Sequence, residues 1–338
     1  MRRFFLLICA LPLLFSCTHI RLSDIDAAKA SLKVVYDWVD APDANPKGMS
    51  IFFYPENGGH YYRYELSAKG GEIHLPVGRY RIITYNNDSH STMQGDFDNY
   101  NSHVIFNYDC DILRPLELTA SQELIEALNL SELVMLPPDM MWGCNADVVE
   151  VFEKEGQQVI TLKPHELMAH YSVEIRNVKN LKSVTRMCMS LSGLADALYI
   201  GDESLTEYSA IFPFECKVEG ESTIMGEFLT FGNNVNTLKE HRVRLIAWCL
   251  TEVVDDNGEP VKNEKGHKQY ANKPYIFYKN DIMNVTEQVD KALNQKRVHV
   301  IIDGSNVIEF PDEPKPDVEG GLSPDISDWV SEDWIITL

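Results

Sequence analysis

Short runs of alternating hydrophobic and polar residues cover most of the N-terminal half of the chain. Such a period of two puts every second side chain on one face of a sheet. Turn residues separate the runs, among them Gly58-Gly59 and Gly70-Gly71, and close turns between strands favour hairpins. The pattern therefore predicts an antiparallel, β-rich domain with strands at 31–39, 49–55, 61–67, 72–78, 79–86 and 102–108 and a hairpin of 147–153 with 157–164.

The C-terminal half repeats this pattern with longer strands. The segment 241–254 has a continuous apolar centre, which indicates a strand buried on both faces. The other predicted strands are 168–178, 186–193, 195–201, 210–219, 222–232, 273–281 and 297–304.

Two segments have helical spacing instead. Residues 121–130 begin with Ser121, a candidate N-cap. Residues 285–295 follow Asn284, the candidate N-cap of the second segment. The sequence thus predicts an all-β protein with minor helix, divided into domains at 31–165 and 166–308.

The last 30 residues, 309–338, differ from the rest of the chain. They begin as a Pro-rich and acidic stretch, which cannot pack by itself and is typical of an extended linker. The end is apolar and β-prone, and a strand of that kind pairs with its own sheet or with a neighbouring chain. We predict a strand-donation segment that includes Trp329, Val330, Trp334, Ile335 and Ile336.

The N-terminus has the layout of a secretion signal. Arg2 and Arg3 precede about a dozen apolar residues, a run too short to span a membrane. The following residues, Leu14-Phe15-Ser16-Cys17, resemble a bacterial lipobox, which implies cleavage before Cys17 and acylation of that residue. We predict a signal peptide at 1–16 and a lipidated tether at 17–30; the alternative is an ordinary secretion signal with an incidental cysteine.

Charge narrows the range of partners. The 338 residues include 30 Lys and Arg against 51 Asp and Glu, a formal net charge of −21. So acidic a protein repels phosphate backbones, which argues against nucleic acid as a partner. The 44% hydrophobic content excludes a mostly disordered chain.

Candidate chemistry is sparse. The His and Cys residues are scattered, so no metal site or cofactor is predicted, although Cys110 and Cys144 could form a disulfide. Paired carboxylates such as Asp37 and Asp40 fit solvated loops better than a hydrolase site. We therefore predict no catalytic residues and no enzyme activity. A glycan-binding function would use exposed aromatic residues, for which the candidates are Tyr61, Tyr62, Tyr64 and Trp142.

Several segments together resemble a known group of proteins. They are VVYDWVDAPDANPKGMSIFFYPENGG, GRYRIITYNNDS, TFGN, the pair VTEQV and VHVIIDG, and the terminal GGLSPDISDWVSEDWIITL. With them the chain resembles an uncharacterised family of lipoproteins from Bacteroides-type bacteria. That family is similar in layout to the fimbrillin-like proteins, including the FimB/Mfa2-type anchor and accessory subunits of surface fimbriae.

The resemblance implies two tandem β-sandwich domains of transthyretin-like topology behind a lipid anchor in the outer membrane, on either its periplasmic or its outer face. It also implies assembly with other fimbria-like or envelope proteins by exchange of β-strands. The expected function is an anchor or accessory subunit of a fimbria-like assembly; the alternative is a glycan-binding surface lipoprotein.

Overall fold

The computed structural model describes residues 29–153, 156–237, 239–264, 266–278, 281–312, 329–330 and 336–337. These residues form β-sheets with little helix, which confirms the predicted all-β class. The strands of the first half are β1 Lys29–Tyr36, β2 Met49–Pro55, β3 Tyr62–Leu66, β4 Gly70–Pro76, β5 Gly78–Asn86, β6 Thr92–Gly95, β7 Val104–Asn107, β8 Leu133–Val134, β9 Trp142–Val151, β10 Gln158–Leu162 and β11 His165–Glu166.

The strands of the second half are longer on average, as their sequence pattern predicts. They are β12 Ala169–Arg176, β13 Val184–Ala195, β14 Ala197–Tyr199, β15 Ser204–Leu205, β16 Ser209–Glu219, β17 Thr223–Thr230, β18 Val243–Glu252, β19 Tyr270–Phe277, β20 Arg297–Asp303, β21 Trp329–Val330 and β22 Ile336–Thr337.

Two sheets face each other in the N-terminal half. Sheet 1 has the order β10-β1-β4, and sheet 2 has the order β11-β9-β5-β2-β3. Alternate residues of β1, including Leu32 and Val34, pack against Ile51 and Phe53 of β2 in one hydrophobic cluster. Gly70 begins β4 with a φ of 97°, and a Cβ there would lie 2.0 Å from the Val34 carbonyl oxygen. Only glycine therefore fits the predicted turn where it touches β1.

The C-terminal half is built on one long sheet. Sheet 3 has the order β20-β12-β17-β16-β13-β18-β19-β21, with β22 also on β19 and β8 on β16. Strand β16 pairs with β13 from Ser209 to Glu215 and with β17 from Cys216 to Glu219. Inward side chains of both parts of the sheet belong to one hydrophobic cluster, so the sheet closes on itself in a sandwich-like layer.

The two halves are joined by a small sheet and a covering segment. Sheet 4 has the order β15-β14-β7-β6, so strands from before and after residue 165 share it. Farther along, Leu124 and Leu128 pack with Cys188, Ile211 and Ile246 of sheet 3. The division at 165 remains a prediction, although part of the first half packs on the second.

The first predicted helix is confirmed and the second is shorter than predicted. Helix α1 spans Gln122–Leu128, and the Ser121 hydroxyl accepts a hydrogen bond from the Leu124 N–H at 3.2 Å. Helix α2 spans Thr286–Asp290, with Val285 at the N-cap position instead of Asn284. The Asn284 side chain still accepts a hydrogen bond from the Thr286 N–H at 3.1 Å.

Three expectations about strand pairing were wrong. The Gly70-Gly71 turn does not join a paired hairpin, because β3 belongs to sheet 2 and β4 to sheet 1. The predicted hairpin of 147–153 with 157–164 is not a paired ladder, because β9 belongs to sheet 2 and β10 pairs with β1 in sheet 1. The sheets are also not purely antiparallel, since β1 with β10 and β12 with β20 are parallel pairs. Parallel partners are distant in sequence, so local alternation could not reveal them.

Candidate partner-binding edge

The outer edge of β19 carries the C-terminal strands of the chain. Strand β19 pairs with β18 on one side and with β21 and β22 on the other. Trp329 lies opposite Tyr270, and Ile336 lies opposite Tyr275, both in parallel orientation. Three residues of the predicted strand-donation segment, Trp329, Val330 and Ile336, are therefore located on this edge.

The described pairing along this edge changes register. From Ala271 to Tyr275 β19 advances four residues, whereas from Val330 to Ile336 the tail advances six, a difference of two. Pro274 falls in the interval, and proline has no N–H to donate to a neighbouring strand. Parallel pairing is also slightly weaker per residue than antiparallel pairing.

The remaining predicted site residues lie outside the described residues. This holds for the signal peptide 1–16, for Cys17 and for Trp334 and Ile335. The described chain begins at Lys29 in β1, which takes the central position in sheet 1.

Side chains close other sheet edges. The Gln158 amide of β10 donates a hydrogen bond to the Glu150 carbonyl oxygen at 2.7 Å. The Tyr64 hydroxyl of β3 donates to the His74 carbonyl oxygen of β4 at 2.5 Å, across the two sheets. Such contacts occupy backbone groups that an added strand would use. Sequence analysis missed them, since nothing in local alternation marks a side chain that reaches across to another sheet.

The four aromatic candidates for glycan binding do not share a surface. Tyr62 and Tyr64 pack against the cluster between sheets 1 and 2, whereas Tyr61 packs against the other face of sheet 2. Trp142 lines a separate cleft of about 300 Å³ with Asp40 and other residues. A flat stacking platform made of all four is therefore absent from the described residues.

A polar ladder crosses the outer face of β12 and β20. The Ser172 hydroxyl is 2.8 Å from Nδ1 of His299, whose Nε2 is 3.1 Å from the Glu174 carboxylate. Arg176 binds both oxygens of Glu174, at 2.7 and 2.9 Å, and lowers the pKa of that carboxyl group. We interpret the ladder as cross-strand pairing.

The cysteines in the described part of the chain are free. Cys110 and Cys144 are not joined, so the disulfide considered from the sequence is not present. Burial raises the pKa of the Cys110, Cys144, Cys188 and Cys249 thiols to about 12. Thiols with such a pKa form little nucleophilic thiolate at neutral pH.

The described residues contain no group of three or more His, Cys, Asp or Glu side chains arranged to hold a metal ion. Within those same ranges, no helix combines the length and the apolar run needed to cross a bilayer.

This chain is similar to a family of unknown function and to a named relative. The family model described as "Domain of unknown function (DUF5119)" matches residues 16–215. A curated relative from Bacteroides ovatus, named "Putative fimbrium anchoring subunit Fim4B", is 25% identical over 229 residues, which are 68% of this chain. The match spans 64% of that relative's length. These findings confirm the resemblance to the fimbrial anchor and accessory group.

Two solved structures are similar to this chain. A crystal structure of a "putative adhesin" from Bacteroides ovatus matches 88% of this chain and 97% of its own, with a TM-score of 0.57 and 19% identity. The fimbrial anchor protein Mfa2 from Porphyromonas gingivalis matches 82% of this chain and 91% of its own, with a TM-score of 0.45 and 14% identity.

Proposed function

The chain belongs to the DUF5119 family, and from this premise we propose that it is an outer-membrane lipoprotein, an anchor or accessory subunit of a fimbria-like assembly. The similarity to a relative named as a fimbrium anchoring subunit supports this role. The observation that carries the mechanism is the outer edge of β19, which pairs with two described pieces of the chain's own tail, Trp329–Val330 and Ile336–Thr337.

The proposed mechanism is mechanical rather than catalytic. Lipid on Cys17 holds one end of the protein at the outer membrane, and the β-sandwich layers act as rigid spacers. The tail leaves β19 and adds as a strand to a sheet edge of another envelope protein. Backbone hydrogen bonds supply the affinity in this binding mode, and alternate side chains supply the specificity.

Weak retention of the tail on β19 favours its transfer to a partner. The described pieces, Trp329–Val330 and Ile336–Thr337, pair with β19 in registers that differ by two residues. The preceding Pro-rich and acidic linker gives the tail reach without a packed structure that would have to unfold first. A partner edge that pairs continuously would therefore compete well with β19.

Removal of residues 320–338 tests strand addition. Partners are captured from envelope extracts by the full chain and by the truncated chain, with the substitution Val235→Asp at an exposed loop position as a control. We expect the truncated chain to lose its fimbria-like partner and V235D to keep it. The same partner recovered at the same yield without the tail would refute strand donation.

The lipid anchor is tested separately by the mass of the mature N-terminus and by fractionation. Acylation at Cys17 is expected, and Cys17→Ser is expected to release the protein from the membrane fraction. Cys110→Ser is the control, because that thiol lies in the folded part of the chain. A mature N-terminus without lipid would contradict the anchor.

A further inference from the structure

One end of sheets 1 and 2 surrounds the point at which the described chain begins. Lys29 lies opposite Pro76, the last residue of β4. On the other side of β1, Leu32 lies opposite Gln158, and the Gln157 side chain donates a hydrogen bond to the Ser31 hydroxyl at 3.2 Å. The β4–β5 turn and the β9–β10 connection therefore both flank the start of β1.

Each of these two connections exposes an apolar side chain. Gly78 lies opposite Val151 in the final pair of the β5–β9 ladder. The next residues outward are Val77, which is 46% exposed, and Phe152, which is 44% exposed. Both residues lie one position beyond the same cross-strand pair, so they are neighbours at the end of sheet 2.

Charges of both signs surround this end, and their sum is small. Arg79 pairs with Glu56 at 2.9 Å. Lys29 and Glu153 are also exposed, one of each sign. With Glu150, which lies opposite Arg79, the described charges here are two basic and three acidic, so the apolar side chains lie in a nearly neutral ring in a protein whose overall charge is −21. A surface of this kind suits zwitterionic headgroups better than a strongly acidic or basic partner.

We propose that this end, the anchor-side surface formed by Lys29, Val77 and Phe152, rests on the lipid bilayer, with Val77 and Phe152 at the boundary between headgroups and acyl chains. The inference rests on the proposed acylation of Cys17. Eleven residues lie between Cys17 and Lys29, and the chain from Cys17 to Lys29 reaches at most about 40 Å.

The anchor makes so small a contact effective. Two partly exposed apolar side chains are too few to hold a protein of this size on a membrane alone. Once lipid tethers the chain, contact becomes an intramolecular event at high effective concentration. The contact would fix the orientation of the sandwich layers, so that sheet 3 and its β19 edge extend away from the bilayer instead of tumbling on the tether.

A fluorescent label at the surface tests this contact. Phe152→Cys and Val77→Cys are made in the acylated protein, labelled with NBD maleimide and reconstituted into phosphatidylcholine vesicles with or without doxyl-labelled lipid. The raised pKa of the Cys110, Cys144, Cys188 and Cys249 thiols, and of the Cys216 thiol, favours labelling at the new cysteine. Tyr208→Cys is the matched control, since Tyr208 is 77% exposed and belongs to the second half of the chain.

We expect doxyl lipid to quench NBD at positions 152 and 77 at least twofold more than at position 208. Equal quenching at all three positions in protein whose mass shows acylated Cys17 would overturn the membrane contact and leave the anchor intact. A mature protein without lipid on Cys17 would remove the premise of both proposals, and the mass measurement identifies that case separately.

Discussion

The side chain of Gln288 closes the outer edge of β20 at Ile301. Nε2 of Gln288 donates a hydrogen bond to the Ile301 carbonyl oxygen at 2.9 Å, and the Ile301 N–H donates to Oε1 of Gln288 at 2.9 Å. One amide side chain thus satisfies both backbone groups of an edge residue, as a neighbouring strand would. The edge of β20 is in this way protected, whereas the edge of β19 is occupied by the tail.

Replacement of Gln288 should open that edge. Gln288→Ala is expected to lower the free energy of unfolding by about 1 kcal/mol, because two hydrogen bonds are lost at a partly solvated site. It should also promote concentration-dependent dimers, because edge strands pair readily with one another. Sedimentation velocity of Q288A against Gln122→Ala, an exposed helix position, provides the measurement. A strictly monomeric Q288A would show that Gln288 does not guard the edge.

A buried histidine sets a dependence of stability on pH. His103 is fully buried, with Nδ1 2.7 Å from the Tyr54 hydroxyl and Nε2 2.9 Å from the Tyr85 hydroxyl. Burial lowers the pKa of His103 from 6.5 to about 4. The unfolded chain therefore binds a proton between pH 6.5 and 4 that the folded chain does not bind, so stability falls as the pH falls through this window.

The free energy of unfolding should fall by about 3 kcal/mol across this window, because of the lowered pKa of His103. Urea unfolding at pH 7 and pH 4.5 should show a smaller decrease in the free energy of unfolding for His103→Phe than for the parent protein. H103F should be less stable at both pH values, because two tyrosines lose a hydrogen-bond partner. His74→Gln, at an exposed position of β4, should keep the parent's slope. An identical pH dependence for H103F and the parent would contradict the neutral, buried state of His103.

A buried guanidinium is expected to cost stability. Arg244 is 5% exposed, and its Nε and Nη1 have no hydrogen-bond partner among the described residues. Burial lowers the pKa of Arg244, and the carboxylate of Glu132 offsets part of that effect. Arg244→Met should therefore leave the free energy of unfolding unchanged or raise it by about 1–3 kcal/mol, because it removes an incompletely paired buried charge.

Arg242→Met is the comparison for that experiment. The Arg242 guanidinium donates to the Tyr278 carbonyl oxygen at 3.1 Å and pairs with Glu240 at 3.0 Å, so R242M should lower the free energy of unfolding in the same urea titration. A larger decrease in the free energy of unfolding for R244M than for R242M would indicate that Arg244 has a stabilising partner.

Strand β1 is expected to be essential for the N-terminal sandwich layer. Leu32 is fully buried between sheets 1 and 2, and Leu32→Ala should lower the free energy of unfolding by about 3 kcal/mol through lost contacts and a cavity. Lys33→Ala on the exposed face should change it by less than about 0.5 kcal/mol. Equal decreases in the thermal unfolding temperature of L32A and K33A would contradict the central position of β1.

Local alternation predicted most strands because half-buried strands repeat with a period of two. Strand β12 follows that rule from Ala169 to Ile175, with alternate residues buried. The cap at Ser121 likewise located α1, because a hydroxyl that binds a helix N–H is a local interaction.

Pairing over long distances could not be predicted in this way. The parallel partner of β12 begins at Arg297, more than a hundred residues later. Strand β6 was missed because Thr92–Gly95 is short and its residues are all of intermediate exposure. The partners of the predicted tail strand were left open, since a β-prone apolar end pairs equally well with its own sheet or with another chain.

The central claim, that the C-terminal strand is donated to a partner, is tested most directly by photo-crosslinking in living cells. A photoreactive phenylalanine derivative replaces Trp329, which pairs with Tyr270 when the tail lies on β19. The account predicts a covalent adduct with a second envelope protein, absent when the same derivative stands at Val235, an exposed loop position of the second half. Crosslinks only to β19 of the same chain, in cells that assemble fimbria-like structures, would contradict it.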